Sequence, residues 1–178
     1  TTSGLRQLGR QEDATVFVVL LAALHALLHR HARQEQILIG TPFAGRTVSE
    51  VENLIGFFVN ALPVKGDCAG NPRFTGLLRQ VRDTVWAVQA HQELPFERLV
   101  RELQPVREKN RNPLFQVCLT YEVMPAEPYR LPGLKVETIK LEPSEAMFEL
   151  TLVVTERADG LDCALRYNAD LFDAATIG

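Results

Sequence analysis

Serine is scarce in this 178-residue chain, and Ser3, Ser49 and Ser144 all lie outside any GxSxG arrangement, which excludes a nucleophile elbow. Cysteine is equally sparse. Cys68, Cys118 and Cys163 are widely spaced, with no CxxC and no metal-ligand pairing, a pattern that suits a reducing compartment and gives no disulfide framework. HExxH, the P-loop and the dinucleotide glycine pattern are all missing, so nothing self-contained reads as a catalytic or metal centre. A basic excess is lacking too: 19 Lys and Arg against 22 Asp and Glu leave a formal charge of −3, which argues against a nucleic-acid surface. Basic residues do gather between Arg98 and Arg111, but acidic residues interleave with them, as on a solvated face. The longest apolar run, Ala14 to Leu28, is broken by His25 and is shorter than the roughly 20 residues of a membrane span. No signal peptide is expected at the start of the chain. The expectation is a buried helix in a cytoplasmic protein, with no membrane partner.

What is present is ordinary for a globular protein: 46% hydrophobic and 23% charged residues, enough for one core or one lobe of a larger domain. A short helix is predicted over Leu5–Gln11, then a long one from about Thr15 to Arg33 whose last turn carries His29, Arg30, His31 and Arg33. Gln36–Ile39 reads as a strand ended by Gly40-Thr41-Pro42. In Glu52–Lys65 the apolar residues Leu54, Ile55, Phe57, Phe58 and Val59 are dense enough to predict a short core helix, with Gly56 allowing close backbone approach. Asn60–Val64 then enters a strand, which Pro63 assigns to an edge or an end.

Asn71-Pro72 signals a helix start. Phe74, Leu77, Leu78, Val81, Val85 and Val88 form its buried stripe, and the helix is expected to reach about His91. Pro95 turns the chain, and a second helix through Phe96, Leu99, Val100 and Leu103 ends at Pro105. Leu114–Tyr121 reads as a strand, Met124–Pro132 as a proline-rich loop, and Leu134–Leu141 alternates imperfectly. Phe148–Thr155 alternates cleanly, and Asp159-Gly160 predicts an antiparallel return through Leu161, Cys163, Leu165 and Tyr167. Asp173 offers a helix cap just before the chain stops, as in a chain cut short. Helices interspersed with strands predict an α/β fold, a mixed sheet covered by helices.

Four groupings could carry chemistry. His25 and His29 share a helix face, either as polar positions or as half of a metal site that lacks further ligands. Arg46, on a loop after a strand, is either an exposed arginine or a group held for an ion pair or an anion. His91 to Glu97 sets an imidazole beside two carboxylates, which read as acid/base partners or, more simply, as a cap with Glu97 in a first helical turn. Asn112-Pro113 is a strand-entry turn whose amide can donate and accept. Cys118 reads as an inert core thiol.

Taken as words, GTPFAGR (40–46), IGFFVNALPV (55–64), HQELPFERL (91–99), RNPLFQV (111–117) and FEL with YNADLFD (148–173) resemble, in order and spacing, the conserved blocks of condensation domains of non-ribosomal peptide synthetases. The resemblance covers essentially the whole chain. It implies one lobe of a two-lobed fold similar to chloramphenicol acetyltransferase. It also implies amide formation between two aminoacyl or peptidyl thioesters carried on phosphopantetheine arms, with no cofactor bound directly. The family's HHxxxDG histidine has no counterpart here, because His29-Arg30-His31 does not match it. The chain thus resembles the C-terminal subdomain over residues 1–178, without the N-terminal lobe or the final helix, and is expected to be inactive alone.

By resemblance, Arg46 corresponds to the arginine that pairs with the HHxxxDG aspartate, and Asn112 to an asparagine lining the tunnel. Both are supporting groups, and no catalytic residue falls in this lobe. His91–Glu97 corresponds to a structural block, and 124–148 to the crossover toward the other lobe. The implied partners are the missing lobe, upstream and downstream carrier domains, an adjacent adenylation domain and, through an apolar tunnel-facing side, a second copy of the fragment. HQELPFE and FFVN resemble the subtype that joins two L-residues. Left open are a non-catalytic docking platform, an epimerising or cyclising variant, and a free-standing acyltransferase.

Overall fold

A computed structural model describes residues 2–106, 109, 111–124, 133–137, 139 and 146–178. The chain divides into two compact units, Thr1–Leu119 and Thr120–Gly178. The first contains α1 (Thr2–Gln11), α2 (Val16–Ala32), β1 (Gln36–Phe43), α3 (Ser49–Glu52), β2 (Asn60–Asp67), α4 (Phe74–Ala90), α5 (Phe96–Leu103) and the start of β3 (Val117–Val123). The second contains the rest of β3, β4 (Leu150–Arg157), β5 (Gly160–Tyr167) and α6 (Ala174–Ile177). The strand order is β2-β1-β3-β4-β5. β1 runs antiparallel to β2 and parallel to β3, so the expected mixed sheet is present.

α2 is the hub of the first unit. Its Thr15 cap accepts a hydrogen bond from the Val18 N–H at 3.3 Å. Arg33 closes the helix in a left-handed conformation (φ 54°), its N–H bonding to the His29 carbonyl. Between these ends Val18, Val19, Leu21, Ala22, Leu24 and His25 are buried. They join Ile37 and Ile39 of β1, Leu62 and Val64 of β2, and Leu77, Leu78, Val81 and Val85 of α4 in the core. The stripe predicted for α4 is buried at Leu77, Leu78, Val81 and Val85, with Phe74 left 37% exposed at its start and Val88 half-buried near its end.

Several boundaries differ from the sequence reading for local reasons. β1 continues through Pro42 to Phe43. Its pairing with β3 falls at Ile39 and Gly40, so the proline comes after the part of the strand that is flanked on both sides. Asn71-Pro72 is a turn before α4, not its cap: Asn71 has φ 52° and its N–H bonds to the Cys68 carbonyl at 3.1 Å. A cap needs extended backbone, and Arg73 supplies it. β3 starts at Val117, three residues later than expected, because Leu114 is left-handed (φ 68°) and the Phe115 N–H bonds back to the Pro113 carbonyl at 2.9 Å.

The largest correction concerns Glu52–Lys65. No core helix forms there. α3 ends at Glu52, and residues 54–59 form an irregular loop with Ile55 and Phe57 at 105% and 91% exposure. The nearest neighbour of Gly56 is the Phe58 ring, not another stretch of backbone. β2 follows as expected, and Pro63 lies on an edge strand.

In the second unit β4 and β5 form the expected hairpin, Arg157 pairing with Gly160 across Ala158-Asp159. Leu150 and Val154 are buried, but the return face is not a core face, since Cys163 and Leu165 are exposed on an edge strand. The Asn168 carbonyl accepts from the Leu171 and Phe172 N–H groups, and its own N–H bonds to the Glu149 carbonyl at 3.0 Å, which joins the two halves of the last motif block. The loop expected at Met124–Pro132 lies outside the described residues after Met124, as do Thr138, Lys140 and Leu141 of the next segment. Its described members Leu134, Val136 and Ile139 are exposed and not in a strand.

Candidate functional site

Four of the motif blocks meet within the first unit. Gly40 of β1 lies against Phe115, which is 2% exposed, so closely that a Cβ at Gly40 would overlap the ring. Phe115 in turn tilts against Phe96 of α5 with centroids 5.5 Å apart. The strand, the segment before β3 and the start of α5 are therefore wedged by two aromatic rings.

Beside this wedge, Asn60 at the start of β2 clasps the turn between α4 and α5. Its Nδ2 donates to the Gln92 carbonyl at 2.9 Å and the Leu94 carbonyl at 2.7 Å, while its Oδ1 accepts from the Phe96 N–H at 3.1 Å. These are backbone groups left without partners where Pro95 interrupts helical bonding. The same turn reaches the loop after β1, where the Thr47 hydroxyl donates to Glu93 Oε1 at 3.0 Å.

Arg46 occupies that loop. Gly45 before it adopts φ +66°, and a side chain there would overlap the Phe58 carbonyl. The half-buried Arg46 guanidinium donates to the Val51 carbonyl, and to the Glu52 carbonyl at 3.3 Å, and lies over the Phe58 ring at 4.4 Å. Among the described residues no carboxylate pairs with it. A guanidinium held by carbonyls and an aromatic face has its charge uncompensated there and is chemically able to bind an anion.

Asn112 is exposed and lines a groove of about 380 Å³ with Arg111, Leu114, Val100 and Val106. Its carbonyl accepts from Gln116 Nε2 at 3.0 Å. Arg46 and Asn112 are thus separately anchored, and they do not share this groove's lining.

The acid/base reading of His91–Glu97 loses its carboxylates to structural work: Glu93 is engaged by Thr47, and Glu97 lies in the first turn of α5. His25 and His29 do not form a pair. His25 is fully buried, neither ring nitrogen has a hydrogen-bond partner among the described residues, and burial pushes its pKa down to about 4. His29 Nδ1 instead lies 2.8 Å from the Gln34 carbonyl. Cys118 is buried and its thiol pKa is pushed up to about 11, as for an inert core thiol. Among the described residues no single helix is long and apolar enough to cross a membrane.

Sequence reasoning missed Asn60, Phe58 and Thr47. Asn60 had a legible signal, a lone amide ending an apolar run at a strand entry. Nothing local marks Phe58 or Thr47, whose partners lie across the loop or at Glu93.

The family model described as "Condensation domain" matches residues 1–178. The chain is 43% identical over 174 residues to a probable non-canonical nonribosomal peptide synthetase of Salinispora arenicola, and 42% identical over 177 residues to one of the linear gramicidin synthase proteins of Brevibacillus parabrevis. Each alignment covers 98% of this chain but about 2% of the relative, so the chain spans a small fraction of these proteins. Among solved structures, the X-domain in a complex with OxyB from teicoplanin biosynthesis superposes with a TM-score of 0.85 at 28% identity, over 97% of this chain and 39% of that one.

Proposed function

Because the chain belongs to the condensation-domain family, we propose that its 178 residues act as the C-terminal subdomain of a domain that joins two carrier-tethered aminoacyl or peptidyl thioesters. The amine of the downstream substrate attacks the upstream thioester carbonyl. A C–N bond forms, the C–S bond breaks, and the amine proton and the thiolate leave together as the free thiol of the upstream phosphopantetheine arm. Holding both arms in one tunnel converts an encounter into a near-unimolecular step, which accounts for much of the rate. The histidine that orients or deprotonates the amine belongs to the N-terminal lobe. This subdomain contributes tunnel wall, with Asn112 donating and accepting along it, and Arg46 to hold the aspartate of the histidine loop. Its partners are that lobe, the flanking carrier domains and an adenylation domain, in the cytoplasm.

The observation that carries this reading is the Arg46 guanidinium, fixed by the Val51 and Glu52 carbonyls and the Phe58 ring with no carboxylate among the described residues. Leaving one member of a buried ion pair without its partner costs on the order of 3–5 kcal/mol, enough to disorder a loop. Arg46→Ala in the synthetase that contains this chain is expected to lower single-turnover peptide formation by roughly tenfold or more. Unchanged product formation would overturn the assignment.

A second reading is a non-catalytic docking platform, favoured by the likeness to an X-domain solved in complex with OxyB. An intact HHxxxDG in the full-length protein selects condensation, and a degraded one selects the platform.

A further inference from the structure

We infer that the turn between α4 and α5 is the clasp that sets the direction of the Arg46 guanidinium, and that Asn60 and Thr47 are positioning residues for condensation. This rests on the role proposed above for Arg46. The Phe58 ring under the guanidinium is two residues from Asn60, and the Phe58 carbonyl is packed against Gly45. Phe58 sits in an otherwise exposed loop, with Phe57 at 91% and Val59 at 44% exposure, so burial alone does not fix it. The chain immediately after it is held by the last pair of the β1–β2 ladder, Phe43 with Asn60, and by the Asn60 amide through its three bonds to the backbone of Gln92, Leu94 and Phe96. On the other side of Arg46, Thr47 is tied by its hydroxyl to Glu93 of the same turn.

One short turn therefore holds both flanks of the arginine: the loop that carries it and the ring it lies on. An exposed loop arginine samples many rotamers, and orienting it costs side-chain entropy unless the surroundings are already set. Asn60 is suited to this task because one amide supplies two donors and one acceptor in fixed geometry. Asn60→Asp would lose both donors, and Asn60→Ala would leave the Gln92 and Leu94 carbonyls and the Phe96 N–H without these bonds.

The test is a double-mutant cycle in the full synthetase, with both carrier domains loaded and single-turnover product formation normalised to folded protein. Asn60→Ala and Thr47→Val are each expected to slow condensation, by roughly tenfold and a few-fold respectively. Thr47→Ser is expected to restore the Thr47 loss, because it restores the hydroxyl that reaches Glu93. In an Arg46→Ala background neither substitution should add to the defect, since both act through the missing guanidinium. Losses that multiply across the cycle would overturn the clasp while leaving the role of Arg46 standing. Should Arg46→Ala itself have no effect, the parent reading fails instead. Asn60→Ala affects a part-buried site, and if it does not fold, the exposed Thr47 series decides alone: full activity in Thr47→Val would refute the inference.

Discussion

Acidification tests the packing of α2 against β2 through one side chain. His25 is fully buried, and among the described residues neither of its nitrogens has a hydrogen-bond partner. The ring lies on Gly66, where an added Cβ would meet its Cγ and Nδ1 at 2.5 Å, so the space beside it is closed by backbone. Desolvation therefore holds the imidazole neutral down to about 4, whereas in the unfolded chain it protonates near its ordinary 6.5. As the pH falls through that interval the unfolded chain takes up a proton that the folded chain refuses. More protons on the unfolded side means that stability rises with pH across the window and is lost on acidification. At about 1.4 kcal/mol per pH unit, the loss from this group is about 2 kcal/mol by pH 5 and about 3 kcal/mol by pH 4. Urea unfolding followed by circular dichroism at pH 7, 6, 5 and 4.5 reads this directly. Other titrating groups contribute to the profile, so the decisive quantity is its difference from His25→Leu, which leaves them in place. The leucine variant should show a flatter dependence over pH 4 to 6.5, whatever its absolute stability at pH 7. Parallel profiles for the two proteins would refute both the burial and the missing partners.

Three further outcomes follow from the packing. Gly40→Ala forces a methyl into the Phe115 ring, which is 2% exposed and has no room to retreat, and should cost roughly 1–3 kcal/mol by thermal unfolding; Gly40→Ala with Phe115→Leu should recover part of it, and an unchanged melting temperature in the single variant would contradict the contact. Of the three thiols, Cys163 is exposed while Cys68 and Cys118 are buried with raised pKa values; a thiol reagent at pH 8 should modify one cysteine quickly, and fast reaction of all three would contradict the burial. The isolated 178-residue chain should self-associate through Ile55 and Phe57, which lie exposed in a continuous apolar loop; light scattering at high concentration should report larger species that Ile55→Ser with Phe57→Ser reduces, and a monomer would count against this surface.

Much of the fold was legible because periodic burial writes itself into sequence. The α4 stripe and the β4 face follow from side chains that must face one way, and there pattern and burial agree; the β4–β5 pairing was legible too, but the expected face of β5 is exposed at Cys163 and Leu165. Boundaries were less legible because they turn on single backbone conformations: left-handed Asn71 and Leu114 each moved an element start by two or three residues. A dipeptide such as Asn-Pro suits a cap and a turn equally well, and only the hydrogen bond to Cys68 decides between them.

The apolar block at 54–59 failed for a deeper reason. A local sequence states that a surface is to be kept from water, but not what will cover it, so a core and an interface read alike. Density of apolar residues predicted a core helix, yet Ile55 and Phe57 are exposed and the neighbouring Asn60 places both its amide donors and its carbonyl oxygen on the backbone of the adjoining turn. A loop left to collapse would turn such side chains inward. Here the amide clasp at one end and the Gly45–Phe58 contact beside it hold the loop in place with the apolar groups outward. In this position the Phe58 ring lies under the Arg46 guanidinium. What looked in the sequence like one hydrophobic segment divides in the structure: Ile55 and Phe57 lie exposed, while the Phe58 ring packs under the Arg46 guanidinium.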